Sequence, residues 1–96
     1  MTVRFLPEAE HELRYAASYY ENKQMGLGTG FIAEVEQTLS LIGAFPNLGT
    51  LITETERRML IGKFPFEIIY CHSEGSIDVY AVKHLKRKPG YWKSRN

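Results

Sequence analysis

The residues best suited to chemistry lie near the end of the chain, from Val79 to Arg95 (VYAVKHLKRKPGYWKSR). From Lys83 onward the segment has six Lys or Arg residues and no acid, with a histidine, a tyrosine and a tryptophan among them and a Pro-Gly turn. Because a strand leads into it, its charges are expected at the rim of a sheet, where they can meet a polyanion or an acidic protein. The candidate binding residues are Lys83, Lys86, Arg87, Lys88, Tyr91 and Trp92.

One catalytic chemistry matches these residue types. Cleavage of RNA through its own 2′-hydroxyl needs a base, an acid and cations that stabilise the phosphorane, and it needs no metal. The candidates for these roles are Arg58, Lys63, His84, Arg87 and Tyr91. Structural roles compete with the catalytic ones: Trp92 is expected to pack the tail on the sheet, and for Arg87 and Tyr91 both roles stay open.

The sequence lacks the motifs that are typical of other kinds of active site. His11, His72, His84 and Cys71 have none of the short spacings of a metal site, so no metal or other cofactor is expected. Cys71 falls in the middle of a strand and is expected to be a small core residue. The helix acids are expected on outward faces, so paired carboxylates for glycoside chemistry are not indicated.

The composition is that of one small globular domain, residues 1–96. The chain has 44% hydrophobic and 24% charged residues, which argues against extensive disorder. Its apolar runs are too short to cross a membrane, and the start passes directly into Pro7-Glu8, so no signal peptide is expected. A single cysteine excludes an internal disulfide and fits a reducing compartment, so a cytoplasmic location is expected.

The net charge of +1 hides an uneven distribution. Residues 1–56 contain eight acids and three bases, whereas residues 57–96 contain nine bases and three acids. The acidic half is expected to be solvated surface, and the aromatic residues within the basic half favour a binding surface there.

The first half predicts a strand followed by a helical hairpin. A short strand over 2–6 ends at Pro7, and Pro7 with Glu8, Glu10 and Glu12 is typical of a helix start. Amphipathic spacing predicts helices at about 8–22 and 29–44, with the glycine-rich segment 22–30 as the turn between them.

The second half predicts three strands, 57–61, 64–72 and 76–84, with 51–56 irregular. Both faces of the middle strand are mostly apolar, so it is expected at the centre of the sheet. In the last strand, alternation places Ile77, Val79 and Ala81 on one face and Asp78, Tyr80 and Val82 on the other. The expected fold is α+β, a two-layer β-α-α-β-β-β domain with the helical hairpin packed on an antiparallel sheet.

The order of the segments PEAEHEL, YYE, GLGTGF, EVEQTL, FPFEIIY and AVKHLKRKPGYW resembles the RelE/ParE superfamily of bacterial type II toxin-antitoxin toxins over nearly the whole chain. The resemblance implies a toxin held inactive by a cognate antitoxin, whose C-terminal segment wraps the toxin's helices and sheet edge in a hetero-oligomer. RelE-like members cut messenger RNA on the ribosome. ParE-like members act on DNA gyrase, are associated with plasmid stabilisation and lack the nuclease residues.

The resemblance places the RelE arginine and tyrosine on Arg87 and Tyr91, and a cationic strand residue near Arg58. The arginine that precedes the apolar run of the middle strand falls on Glu67, a charge reversal that would repel a scissile phosphate. The resemblance therefore favours a ParE-like toxin acting on gyrase. The alternatives are a RelE-like, metal-independent ribonuclease that uses Arg58, His84, Arg87 and Tyr91, and a degenerate toxin that only binds its antitoxin.

Overall fold

A computed structural model describes residues 1–95 as two helices and five strands. In chain order they are β1 (Thr2–Phe5), α1 (Pro7–Lys23), α2 (Leu27–Ala44), β2 (Thr50–Leu51), β3 (Glu56–Leu60), β4 (Phe66–Ser73) and β5 (Ser76–His84). This confirms the predicted order and adds β2, which lies in and just before the segment expected to be irregular. No helix among these residues is long and apolar enough to cross a membrane.

The helical hairpin is fixed by its ends and by one close contact. Pro7 occupies the first turn of α1, where its missing N–H costs no hydrogen bond. The carboxylate of Glu21 accepts hydrogen bonds from the backbone N–H groups of Gly26 (2.8 Å) and Gly28 (2.9 Å) at the start of α2. A Cβ at Gly28 would lie 2.3 Å from the carbonyl oxygen of Ala17, so the two helices approach too closely there for any larger residue.

The sheet is mixed, and this corrects the expectation of a purely antiparallel one. The strand order is β1-β5-β4-β3-β2, and β1 runs parallel to β5 while the other neighbours are antiparallel. The parallel pair arises because the hairpin α1–α2 and three strands intervene before β5 returns beside β1. The α+β class and the helical layer are as predicted, and β4 lies at the centre.

The main core lies between the sheet and the helices. Phe31, Val35 and Ile42 of α2 meet Ile68 and Tyr70 of β4 there, and all five are almost fully buried. A second, smaller cluster lies on the opposite, outer face of the sheet, where Ile69 and Ala81 are covered by Trp92.

A β-bulge in β5 corrects the predicted faces of that strand. Ile69 pairs with Ala81 and Tyr70 pairs with Val79, which leaves Tyr80 as an extra residue. Ile77 and Val79 share one face as predicted, and that face meets the helices, but beyond the bulge the alternation shifts by one. Ala81 therefore faces outward and Val82 faces the helices, opposite to the expectation.

The second half of β5 has an open edge. Strand β1 pairs with β5 only from Ser76 to Val79, and the last backbone bond between them runs from Leu6 N–H to the Val79 carbonyl (3.0 Å). Within residues 1–95 no strand lies beside the backbone groups of Tyr80 and Val82 on that edge, and such groups need other partners.

Candidate target-binding site at the end of β5

A basic turn follows β5. The N–H of Arg87 donates to the carbonyl of His84 (3.0 Å), and the N–H of Lys86 donates to His84 Nδ1 (3.0 Å). Lys86, Arg87 and Lys88 are all exposed, and within residues 1–95 none of them forms an ion pair. We call residues 86–88 the basic turn.

The chain then reverses and returns across the outer face of the sheet. Pro89 and Gly90 form the turn, and Gly90 has a φ of 77°, a conformation that favours glycine. Trp92 packs on Ile69 and Ala81, is only 3% exposed, and meets Tyr80 edge to face at 6.3 Å between ring centroids. The expected docking of Trp92 is therefore confirmed. We call residues 91–95 the tail.

A single carboxylate on α1 holds the tail. Glu12 accepts hydrogen bonds from Tyr91 Oη (2.5 Å), from both terminal nitrogens of Arg95 (2.8 Å each) and from the backbone N–H of Val82 (3.0 Å). Arg95 also donates to the carbonyl of Tyr80 (3.0 Å). The Glu12–Arg95 pair thus satisfies the open edge of β5. We call Glu12, Tyr91 and Arg95 the clasp.

This arrangement corrects the expectation that the helix acids face outward. The side chains of Glu12 and Arg95 are each only 13% exposed. Burial by itself would raise the pKa of Glu12, but the hydrogen bonds from Arg95, Tyr91 and Val82 outweigh it and hold that pKa below its ordinary value. Burial and the hydrogen bond to Glu12 raise the pKa of Tyr91, so its hydroxyl stays protonated and acts as a donor.

The clasp also contacts the basic turn, because Arg87 stacks on the ring of Tyr91. The guanidinium carbon of Arg87 lies 4.0 Å from the centre of the Tyr91 ring, and that of Arg95 lies 4.8 Å from the same centre. Cations stacked on an aromatic face are attracted by its quadrupole. Arg87 forms no ion pair with any of residues 1–95, so its guanidinium stacks on the Tyr91 ring without a carboxylate partner in the described part of the chain.

Glu67 belongs to a different cluster on the outer face of the sheet. Its Oε1 lies 2.7 Å from Arg58 Nη1 and its Oε2 lies 3.3 Å from Lys83 Nζ. Glu67 and Lys83 are about 95% buried, whereas the Arg58 side chain is 42% exposed. The bulge creates this cluster, because it shifts Lys83 to the outer face and His84 to the helix face.

The structure does not assemble the four proposed nuclease residues. Arg58 lies on the outer face and is paired with Glu67, whereas the His84 ring packs on Phe66, 5.0 Å between centroids, on the helix face. The raised pKa of Tyr91 makes it a poor base. Lys63 lies in the turn before β4, 80% exposed and 3.6 Å from Glu34 Oε2.

Among the predicted binding residues, the basic turn is exposed, and Tyr91 is half-buried in the clasp. Lys83 and Trp92 are buried, so neither side chain is presented to a partner in this structure. A groove of about 790 Å³ lies beside the basic turn, between α1 and the end of β5. Its lining includes Tyr15 and Tyr19 of α1, the buried side chains of Phe66 and Val82, and the exposed Arg87.

Cys71 is half-buried, and burial raises the pKa of its thiol, as do the nearby charges of Glu56 and Asp78, so it is not an activated nucleophile. Within residues 1–95 no three His, Cys, Asp or Glu side chains are grouped to hold a metal ion.

Sequence reasoning missed Glu12 and Arg95 as a pair. A signal for Glu12 existed, since it lies three residues after Ala9 and four before Ala16, both buried, and helical spacing places all three on one face. For Arg95 no local signal existed, because its partner is 83 residues away.

Two helices pack on one face of a mixed five-stranded sheet, and a basic segment follows the last strand. A solved structure described as the chromosomal ParDE TA system from P. aeruginosa has this fold, with a TM-score of 0.60 over 88% of this chain and 95% of that chain, at 10% sequence identity. A search of curated proteins found no match.

The family described as the ParE toxin of the type II toxin-antitoxin system, parDE, matches residues 3–89. The chain therefore belongs to the ParE toxin family. The match includes the basic turn and ends before the tail, so two of the three clasp residues lie beyond it.

Proposed function

We propose that this ParE-family toxin inhibits growth by binding DNA gyrase in the cytoplasm and that a cognate antitoxin neutralises it. The observation that carries the proposal is the basic turn, three consecutive exposed cations at one corner of the sheet without an ion-pair partner among residues 1–95. Unpaired surface charge of one sign promotes association with a surface of the opposite sign.

The competing ribonuclease mechanism has less support. It needs a base, an acid and phosphate-binding cations around one phosphate, but Arg58 and His84 lie on opposite faces of the sheet. The guanidinium of Arg58 also donates a hydrogen bond to the carboxylate of Glu67, which makes it less available to a phosphate. Induction of the chain alone should therefore reduce DNA supercoiling and leave ribosome-bound message intact. Cut message with normal supercoiling would overturn the gyrase proposal in favour of the ribonuclease.

The contribution of the basic turn is tested by neutralising it. A triple variant, Lys86→Gln, Arg87→Gln and Lys88→Gln, should inhibit gyrase supercoiling weakly or not at all. The matched control is Arg4→Gln, Arg14→Gln and Lys63→Gln, three cations whose side chains are at least 71% exposed elsewhere on the surface. The two variants have the same net charge, so equal loss of inhibition in both would refute a specific role for the turn.

The antitoxin is expected to cover apolar surface that the toxin leaves exposed. Tyr15, Phe45 and Leu60 are between 57% and 70% exposed, and large exposed apolar groups mark interaction surfaces. The toxin should therefore give a higher soluble yield when co-expressed with the product of the neighbouring gene. Equal yields with and without that product would count against this part of the proposal.

A further inference from the structure

The carboxylate of Glu12 connects three parts of the molecule that are distant in sequence. It belongs to α1, it binds the backbone of β5 at Val82, and it binds the tail through Tyr91 and Arg95. Four hydrogen bonds converge on its two oxygens, and the guanidinium of Arg95 approaches it with two parallel N–H groups. This bidentate geometry is the strongest form of a carboxylate–arginine contact.

We propose that Glu12 is a positioning residue: it fixes the tail on the sheet and, through the Tyr91 ring, fixes Arg87 at the corner that contacts the target. The step from Glu12 to the tail is independent of the proposed function, whereas the step to target binding rests on it. Glu12 touches no target itself in this proposal and acts only through Tyr91 and Arg95.

The alternative is that Glu12 merely fills space in the core. The pattern of donors argues against this, because a space-filling residue needs no charge. Without Glu12 the N–H of Val82 would lose its acceptor, and Arg95 would keep only the carbonyl of Tyr80, so the open edge of β5 would be satisfied less well. Trp92 lies between Tyr91 and Arg95, so release of the clasp would also uncover Ile69 and Ala81.

The first test changes the charge and keeps the shape. Glu12→Gln retains one oxygen acceptor and replaces the other oxygen with an NH₂ donor, so it cannot accept all four hydrogen bonds that the carboxylate receives. The amides of Val82, Lys93 and Arg95 should then exchange hydrogen roughly ten- to a hundredfold faster, the factor expected when hydrogen bonds to a charged group are lost. The amide of Tyr70 in β4 should be unaffected, which shows that the fold is intact.

Glu10→Gln is the matched control. Glu10 belongs to the same helix, pairs with Arg14 at 2.8 Å and has a side chain that is 50% exposed. The same chemical change at this site should leave the exchange rates of the tail amides unchanged. Unchanged tail exchange in Glu12→Gln, or an equal increase in Glu10→Gln, would overturn the proposal.

A second pair of variants tests the same contact from the side of Arg95, in case Glu12→Gln does not fold properly. Arg95→Ala should also release the tail, and adding Glu12→Gln to Arg95→Ala should cause much less further release than Glu12→Gln causes alone. Fully additive effects would mean that Glu12 does not act through Arg95. Trp92, the only tryptophan, gives an independent readout, since its fluorescence should become more accessible to acrylamide when the tail is released.

The link to the target is tested last, with wild-type gyrase inhibition as the reference. Glu12→Gln should weaken inhibition together with release of the tail, whereas Arg87→Gln should weaken inhibition with the tail still docked. If Glu12→Gln releases the tail and inhibition is unchanged, the positioning role in binding fails. If the wild-type toxin does not inhibit gyrase while tail exchange still depends on Glu12, the proposed target fails and the role of Glu12 toward the tail stands.

Discussion

Individual buried charges in this protein are each stabilised by specific partners. Glu12 has four donors around its carboxylate, and Glu67 has two cations. Breaking a buried pair costs more than replacing the whole pair, because the remaining charge is left without a partner in a medium of low dielectric constant.

Glu67 offers a direct measurement of that asymmetry. Glu67→Leu leaves the buried ammonium of Lys83 unpaired and should lower the free energy of unfolding by about 3–5 kcal/mol. Adding Lys83→Met to Glu67→Leu should recover most of the loss, since Arg58 can turn toward solvent. Urea unfolding of the three proteins checks this, and a double variant as unstable as the single one would contradict it.

Docking of the tail should depend on pH through Glu12. Its pKa is lowered in the folded protein, so its contribution to stability is complete above the ordinary value of 4.5 and is lost as the pH falls below that value through the folded pKa. Trp92 fluorescence should therefore report release of the tail in acid. In Glu12→Gln this acid transition should be absent, and an identical transition in both proteins would assign it to other groups.

At the scale of elements, close contacts and irregular pairings fix the geometry. The contact between Gly28 and Ala17 sets the approach of α1 and α2, and the bulge at Tyr80 decides which face each later residue of β5 occupies. The close contact depends on one glycine, and the change of faces depends on one extra residue.

Two glycines of α2 should respond in opposite ways to the same substitution. Gly28→Ala would place its Cβ 2.3 Å from the Ala17 carbonyl, so it should destabilise the protein by about 1–3 kcal/mol or more. The new Cβ of Gly30→Ala would lie more than 4 Å from any heavy atom of residues 1–95 beyond its chain neighbours and the local helix backbone, so this substitution should stabilise the protein by about 0.4–1 kcal/mol. Thermal unfolding of both variants measures the two effects. A loss of stability in Gly30→Ala would contradict the prediction of opposite signs.

These element-scale features explain what the sequence could and could not predict. Helical spacing located α1 and α2, and the apolar faces of β4 placed it at the centre, because both signals are local. The parallel β1–β5 pair and the Glu12–Arg95 contact depend on residues more than 70 positions apart. The bulge was missed because every residue from Ile77 to Val82 except Asp78 is apolar or aromatic, so the sequence pattern does not show where the alternation of faces shifts.

At the scale of the whole molecule, the acidic first half and the basic second half are joined by ion pairs. Glu12–Arg95, Glu34–Lys63 and Arg4–Asp78 each connect the two halves. Glu12–Arg95 and Glu34–Lys63 neutralise part of the opposite charge of the two halves, whereas Arg4–Asp78 pairs the minority charge of each half. The basic turn is outside all of them, so the positive charge of the second half is presented mainly there.

Inhibition of the target should therefore depend on salt. Raising the ionic strength screens exposed charges and should progressively weaken the proposed inhibition of gyrase by the wild-type toxin. The triple variant of the basic turn should show a smaller salt dependence than the Arg4, Arg14 and Lys63 control. Inhibition titrations across a salt series measure this, and equal slopes would place the charged contact elsewhere.

The extra residue at Tyr80 also affects how relatives can be compared. A relative that lacks the bulge must be aligned with a one-residue gap at Tyr80. Without that gap, each later residue of the strand in the relative is matched to a residue of this chain on the opposite face of the sheet. Lys83 and His84 would exchange places in an ungapped comparison, so a buried ion-pair lysine in one protein would be matched with a groove residue in another. Functional residues after β5 are therefore best transferred between relatives by superposition, with sequence position as a secondary guide.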